Sequence, residues 1–112
     1  MVSPDLPEIR TAIDAVDAQL VDLIARRQQW VEAAGRAKAG HGPNLVRAPA
    51  RVEEVVARAR ARAAKAGASA DVVEATYRAM IGAFIDLELD VADPPSEHSR
   101  ESVMPEAARP GP

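Results

Sequence analysis

No cysteine occurs among the 112 residues, which excludes disulfides, thiolate nucleophiles and zinc–thiolate sites. Histidine is nearly absent as well. His41 and His98 are too few for a histidine metal cluster, and neither a metal nor another cofactor is expected. Aromatic residues make up 3%, and Trp30, Tyr77 and Phe84 are the whole set, too few for a base-stacking surface. Basic excess is lacking too: 14 basic against 17 acidic residues give a net charge of −3, the wrong sign for a nucleic-acid partner. No stretch approaches the roughly 18–20 apolar residues of a membrane span. Met1 to Glu8 lacks the basic region and apolar run of a secretory signal, so the expected compartment is the cytoplasm.

What is present is helical periodicity punctuated by proline. Prolines are absent from 8 to 42 and from 50 to 93, and a proline inside a helix costs about 3 kcal/mol. Within the first gap Leu6, Ile9, Ile13, Val16, Leu20, Leu23, Arg27, Trp30, Ala34 and Ala37 recur at alternating spacings of three and four. That is a heptad seam, which predicts a helix over about 6–38, with Pro7 in its first turn and Gly40, Gly42 and Pro43 ending it. At 1.5 Å per residue it runs to about 48 Å, too long for the rest of so short a chain to cover. The seam therefore predicts a homodimer of intertwined helices.

A loop is expected over 39–47, then a second helix from Pro49 to about Ala66, stopped by Gly67. Val52, Val55, Val56, Ala59 and Ala63 form its apolar face. A third helix is expected from an N-cap at Ser69 to about Val91, with Val73, Tyr77, Met80, Phe84, Leu87 and Val91 at helical spacing. Nothing reads as a strand. The fold class is all-α, with three helices per chain over a domain of 1–92. Residues 93–112, with five prolines and little apolar content, read as a disordered tail.

Two residues are out of place on apolar stripes. Arg27 occupies a seam position, where a buried unpaired charge costs several kcal/mol. It calls for an internal carboxylate, an outward-snorkelling side chain or a bound anion. Lys38 lies about three turns further along the same face, and Arg47 and Arg51 flank the start of the second helix, itself an anion-attracting end. Together they outline a pocket for a small carboxylate or phosphate, although Arg47 and Arg51 taken singly read as solvated. Arg10 stands about 25 Å from Arg27 along the helix and reaches such a pocket only in an antiparallel partner. Glu88 ends the stripe Tyr77, Ile81, Phe84. It reads either as an ion-pair partner for the cations or as a proton donor, because burial favours its neutral form while neighbouring cations favour the charged one.

Over about 6–90 these residues resemble the all-helical chorismate mutases. The resemblance is carried by Ile9-Arg10 with Ile13, Asp14 and Asp17, by Leu23-Ile24-Ala25-Arg26-Arg27, by Gly35-Arg36-Ala37-Lys38, and by Val46-Arg47 with Arg51. It implies an intertwined dimer that rearranges chorismate to prephenate in aromatic amino acid biosynthesis. Arg27, Lys38, Arg51 and the partner's Arg10 would hold the substrate, with Arg47 beside them. Lys38 and Glu88 would donate to the ether oxygen, Glu88 standing where the family often has glutamine.

One stretch departs from the pattern. Ala48 and Val52 stand where typical members carry acidic residues for the substrate's ring hydroxyl. Ala48-Pro49-Ala50-Arg51-Val52 is similar instead to the isochorismate-pyruvate lyase branch. The resemblance therefore also admits that lyase, or a mutase of a modified chorismate such as the 4-amino analogue. A non-catalytic helical dimer that binds an anion or a partner helix is the alternative of another class.

Overall fold

The computed structural model describes residues 3–92. They form four helices: α1 (Leu6–Ala37), α2 (Pro43–Arg47), α3 (Pro49–Ala66) and α4 (Ala70–Ala92). The three long helices lie where the periodicity predicts, and no strand occurs among the described residues. The segment expected to be loop is the difference, because five of its residues wind into α2. Pro43 supplies a φ suited to a first helical turn, and two glycines in front of it turn the chain: Gly40 has φ 84° and Gly42 φ 90°. The tail 93–112 lies outside the described residues.

Helix ends follow from local chemistry. The Asp5 carboxylate accepts from the Glu8 backbone N–H at 3.0 Å and caps α1. Gly67, at φ 80°, terminates α3 in the left-handed conformation. The Ser69 hydroxyl accepts from Val72 N–H at 3.1 Å at the start of α4, as its sequence position predicts. Between α2 and α3, Ala48 is held at φ 34°, a left-handed conformation that costs a non-glycine residue about 1–2 kcal/mol.

The core is thin. Val46, Val56, Ala59, Ala63 and Ile81 are its buried apolar side chains, and Glu88 is buried with them. Helix α4 is the hub, packing against each of the other three. Small Ala59 and Ala63 let α3 lie close to it. On the other side Gly35 is the one buried residue of α1. A Cβ there would meet the Glu88 carbonyl oxygen and Val91 Cβ, each at 3.1 Å.

Only the last third of α1 joins this core. Every residue from Leu6 to Arg26 is exposed, including the seam residues Leu6, Ile13, Val16, Leu20 and Leu23. The radius of gyration is 18.5 Å, against about 13 Å for a compact domain of this length.

Charges clamp α3 to α4. Arg78 donates to both carboxylate oxygens of Glu53, at 2.8 and 2.9 Å, and to Glu74 at 2.7 Å. Arg60 reaches Glu74 at 2.7 Å and Asp71 at 3.1 Å. Hydrogen bonds from Arg78, before any other cause, hold the Glu53 and Glu74 carboxyls below their ordinary value of 4.5.

Two outcomes are expected. Gly35→Ala gains helix propensity, about 1 kcal/mol, but overpacks a contact with backbone, at about 1–3 kcal/mol. A net loss of about 1 kcal/mol in urea denaturation is expected. For the clamp, carboxyls that bind protons more weakly when folded contribute stability above pH 4.5 and lose it as the pH falls through their lower folded values. The melting temperature should therefore drop on acidification below 4.5. The drop should be shallower in Arg78→Gln and in about 1 M salt, which screens exposed pairs.

Candidate active site

Where α1, α4 and the α2–α3 junction meet, they enclose a cavity of about 340 Å³, within the range of small-molecule sites. Helix α1 supplies Arg27, Trp30 and Lys38, the junction supplies Arg47, Ala48, Arg51 and Val52, and α4 supplies Ile81, Phe84 and Glu88. Of the six site residues expected from sequence, five line this one space. Arg10 does not: it sits on the exposed first half of α1, away from the cavity of its own chain.

The polar lining is four cations, Arg27, Lys38, Arg47 and Arg51, against one carboxylate, Glu88. Lys38 Nζ donates to Glu88 Oε2 at 2.7 Å. The ion pair expected of Glu88 is present, and it uses only one of the three ammonium donors of Lys38. Arg51 donates to Glu54 at 2.7 Å on the outer side of α3, and that bond is the main reason the Glu54 carboxyl lies below its ordinary value. Arg27 differs from both. Its Cζ lies 5.2 Å from the centroid of the Phe84 ring, and among the described residues no carboxylate lies within 4.0 Å of its guanidinium. Arg47 likewise has none, but it is exposed.

The start of α3 adds to the positive field. Its N-cap, Ala48, makes no side-chain cap bond, but Pro49 has no N–H and the Arg51 N–H donates to the Ala48 carbonyl oxygen at 2.9 Å, so this end contributes its helix dipole rather than a row of free donors. Around these groups Val31, Val46, Val55 and Ile85 form apolar walls. The site thus offers cations at its rim and apolar surface for a ring, and it matches a small anion with two or more acidic groups. Among the described residues no group of side chains could hold a metal ion.

Residues 9–89 match the family model for chorismate mutase type II. The chain belongs to that family. Among curated proteins, the T-protein of Haemophilus influenzae is 37% identical over 73 residues, a stretch that covers 65% of this chain. The chain spans only 19% of the length of that relative. No solved structure matches.

Sequence reasoning missed Trp30, Phe84 and the aliphatic walls as part of the site. Phe84 lies one turn before Glu88 on the same stripe of α4, but an aromatic residue there is equally what a core would place. Trp30 follows Arg27 on the α1 seam, and its sequence position marks it only as a seam residue.

Proposed function

We propose that this chorismate mutase family member is a cytoplasmic homodimer that rearranges chorismate to prephenate in the cavity at the α2–α3 junction. The observation that carries the reading is the convergence of Arg27, Lys38 and Arg51 with Glu88 on one apolar space in an otherwise acidic chain. The reaction breaks an ether C–O bond as a C–C bond forms within the same molecule. No nucleophile or external proton is consumed. Rate comes from holding the folded conformer and from donors aimed at the oxygen on which negative charge develops.

Arg27 and the Arg10 of the second copy bind the two carboxylates, a task suited to the planar guanidinium fork. Arg51 and Arg47 add field at the rim. Lys38 keeps donors free beyond its bond to Glu88 and directs one at the ether oxygen. Glu88 donates there when protonated. Dimerisation is supported by the uncovered seam on α1, whose aliphatic side chains find no cover in their own chain.

A second substrate reading has its own support. Ala48 and Val52 give the wall next to Arg51 no hydrogen-bond acceptor side chain, which suits an isomer whose hydroxyl lies elsewhere on the ring. Incubation with chorismate and with isochorismate, read by product, decides between them. Prephenate from chorismate is expected, and salicylate plus pyruvate from isochorismate alone would overturn the mutase. Arg10→Ala and Arg27→Ala should each lose about 10²-fold in rate. Mixing the two proteins with subunit exchange should restore about a quarter of wild-type activity, since half of randomly exchanged dimers are mixed and each mixed dimer holds one intact site. No recovery after verified exchange would remove Arg10 from the site.

Glu88 makes a separate outcome. Glu88→Gln keeps an N–H donor for the ether oxygen and should retain activity, whereas Glu88→Ala should lose about 10²–10³-fold. An equal loss in both variants would return Glu88 to an ion-pair partner of Lys38 alone.

A further inference from the structure

Arg27 is long, flexible and partly buried, and its one partner among the described groups is a ring face rather than a carboxylate. We propose that Phe84 is a positioning residue: its ring holds the Arg27 guanidinium by a cation–π contact and leaves the N–H fork of that arginine open for a substrate carboxylate. The inference rests on reading the cavity as a dicarboxylate site.

Each possible partner of Arg27 has a different consequence. A carboxylate beside Arg27 would occupy the fork, and a ligand would have to displace it. An aromatic face attracts the cation through its quadrupole and uses none of the five N–H donors. Left without any partner, the side chain would keep its rotamer freedom and lose it only when ligand binds. The ring therefore places the charge in advance while sparing its hydrogen-bonding capacity.

Helix α4 makes the arrangement economical. Phe84 and Glu88 are one turn apart and share a face, so one stripe holds Arg27 by a ring and Lys38 by a carboxylate, the latter at 2.7 Å. Each of the two α1 cations in the cavity thus has its own fixture on α4. The same rigid helix sets the distance between them.

The composition makes the test simple. Phe84 is the only phenylalanine of the chain, so biosynthetic incorporation of mono-, di- and trifluorophenylalanine alters this ring alone. Fluorination withdraws the quadrupole step by step at nearly constant shape. In the full-length protein, the Arg27 Nε–Hε resonance, assigned by its loss in Arg27→Lys, should show an upfield ring-current shift and restricted motion in the parent. Its order should fall progressively through the series.

The KM for chorismate should rise in step, by about 5- to 30-fold at full fluorination, with kcat changed less than the KM. In an Arg27→Lys background the dependence on fluorination should shrink. A mobile Arg27 without ring-current shift in the folded parent would overturn the proposal. So would a KM that stays flat while Arg27 loosens. If the parent does not convert chorismate, the mutase reading fails, and the arginine resonance alone decides whether Phe84 holds Arg27.

Discussion

The close approach of α1 to α4 at Gly35 is the constraint on which the site depends. No side chain stands between the helices there, and a single methyl group would already press on the Glu88 carbonyl and Val91. Because α1 is one unbroken helix from Leu6 to Ala37, fixing it at Gly35 also fixes what lies a turn or two to either side. Lys38 then meets Glu88, and Arg27 lies over Phe84. The short helix α2 and the strained Ala48 close the third side by carrying Arg47 and Arg51 back toward these cations. The cavity is thus a product of backbone geometry at a few positions as much as of the residues that line it.

The same helix explains why the described chain looks incomplete. Its last third is packed, and its first two thirds expose a row of leucine, isoleucine and valine. Burying a large aliphatic side chain contributes about 1.5–3 kcal/mol relative to full exposure. Covering six half-exposed ones would therefore contribute on the order of 5–10 kcal/mol, comparable to the whole stability of an ordinary domain. A core of five small and medium apolar side chains lacks that reserve. The proposed dimer joins the two problems, since the surface that needs cover also carries Arg10, the one expected site residue that the single chain leaves outside its cavity.

Much of this was legible in the sequence because helices write their periodicity directly. The seam from Leu6 to Ala37, the stop at Gly67 and the cap at Ser69 all correspond to structure. The helix α2 was not legible: five residues are too few to establish a period, and glycine and proline around them read as loop. Within the site, charged residues on apolar stripes stood out, so Arg27, Lys38 and Glu88 could be picked before any fold was known. Phe84 could not be picked in the same way. An aromatic residue on an apolar stripe of a helix is what any core would place there, and its role appears only through the 5.2 Å contact with Arg27.

Charge pairing then separates Arg27 from the cations that hold the fold. Among the described residues three cations are partly buried: Arg27, Lys38 and Arg60. Arg60 is satisfied by Asp71 and Glu74 within the α3–α4 clamp, and Lys38 by Glu88. Arg27 alone of the three faces no carboxylate. The other cations without a carboxylate, such as Arg10, Arg47 and Arg62, are exposed, where water answers for the missing partner. Arg27 is half-buried and has no buried N–H left without a partner, so water reaches part of its fork while the Phe84 ring lies against the cation. On the proposed function, an arriving carboxylate takes the place of that water at the fork. The lack of a carboxylate partner is what marks Arg27 out for the role proposed for it.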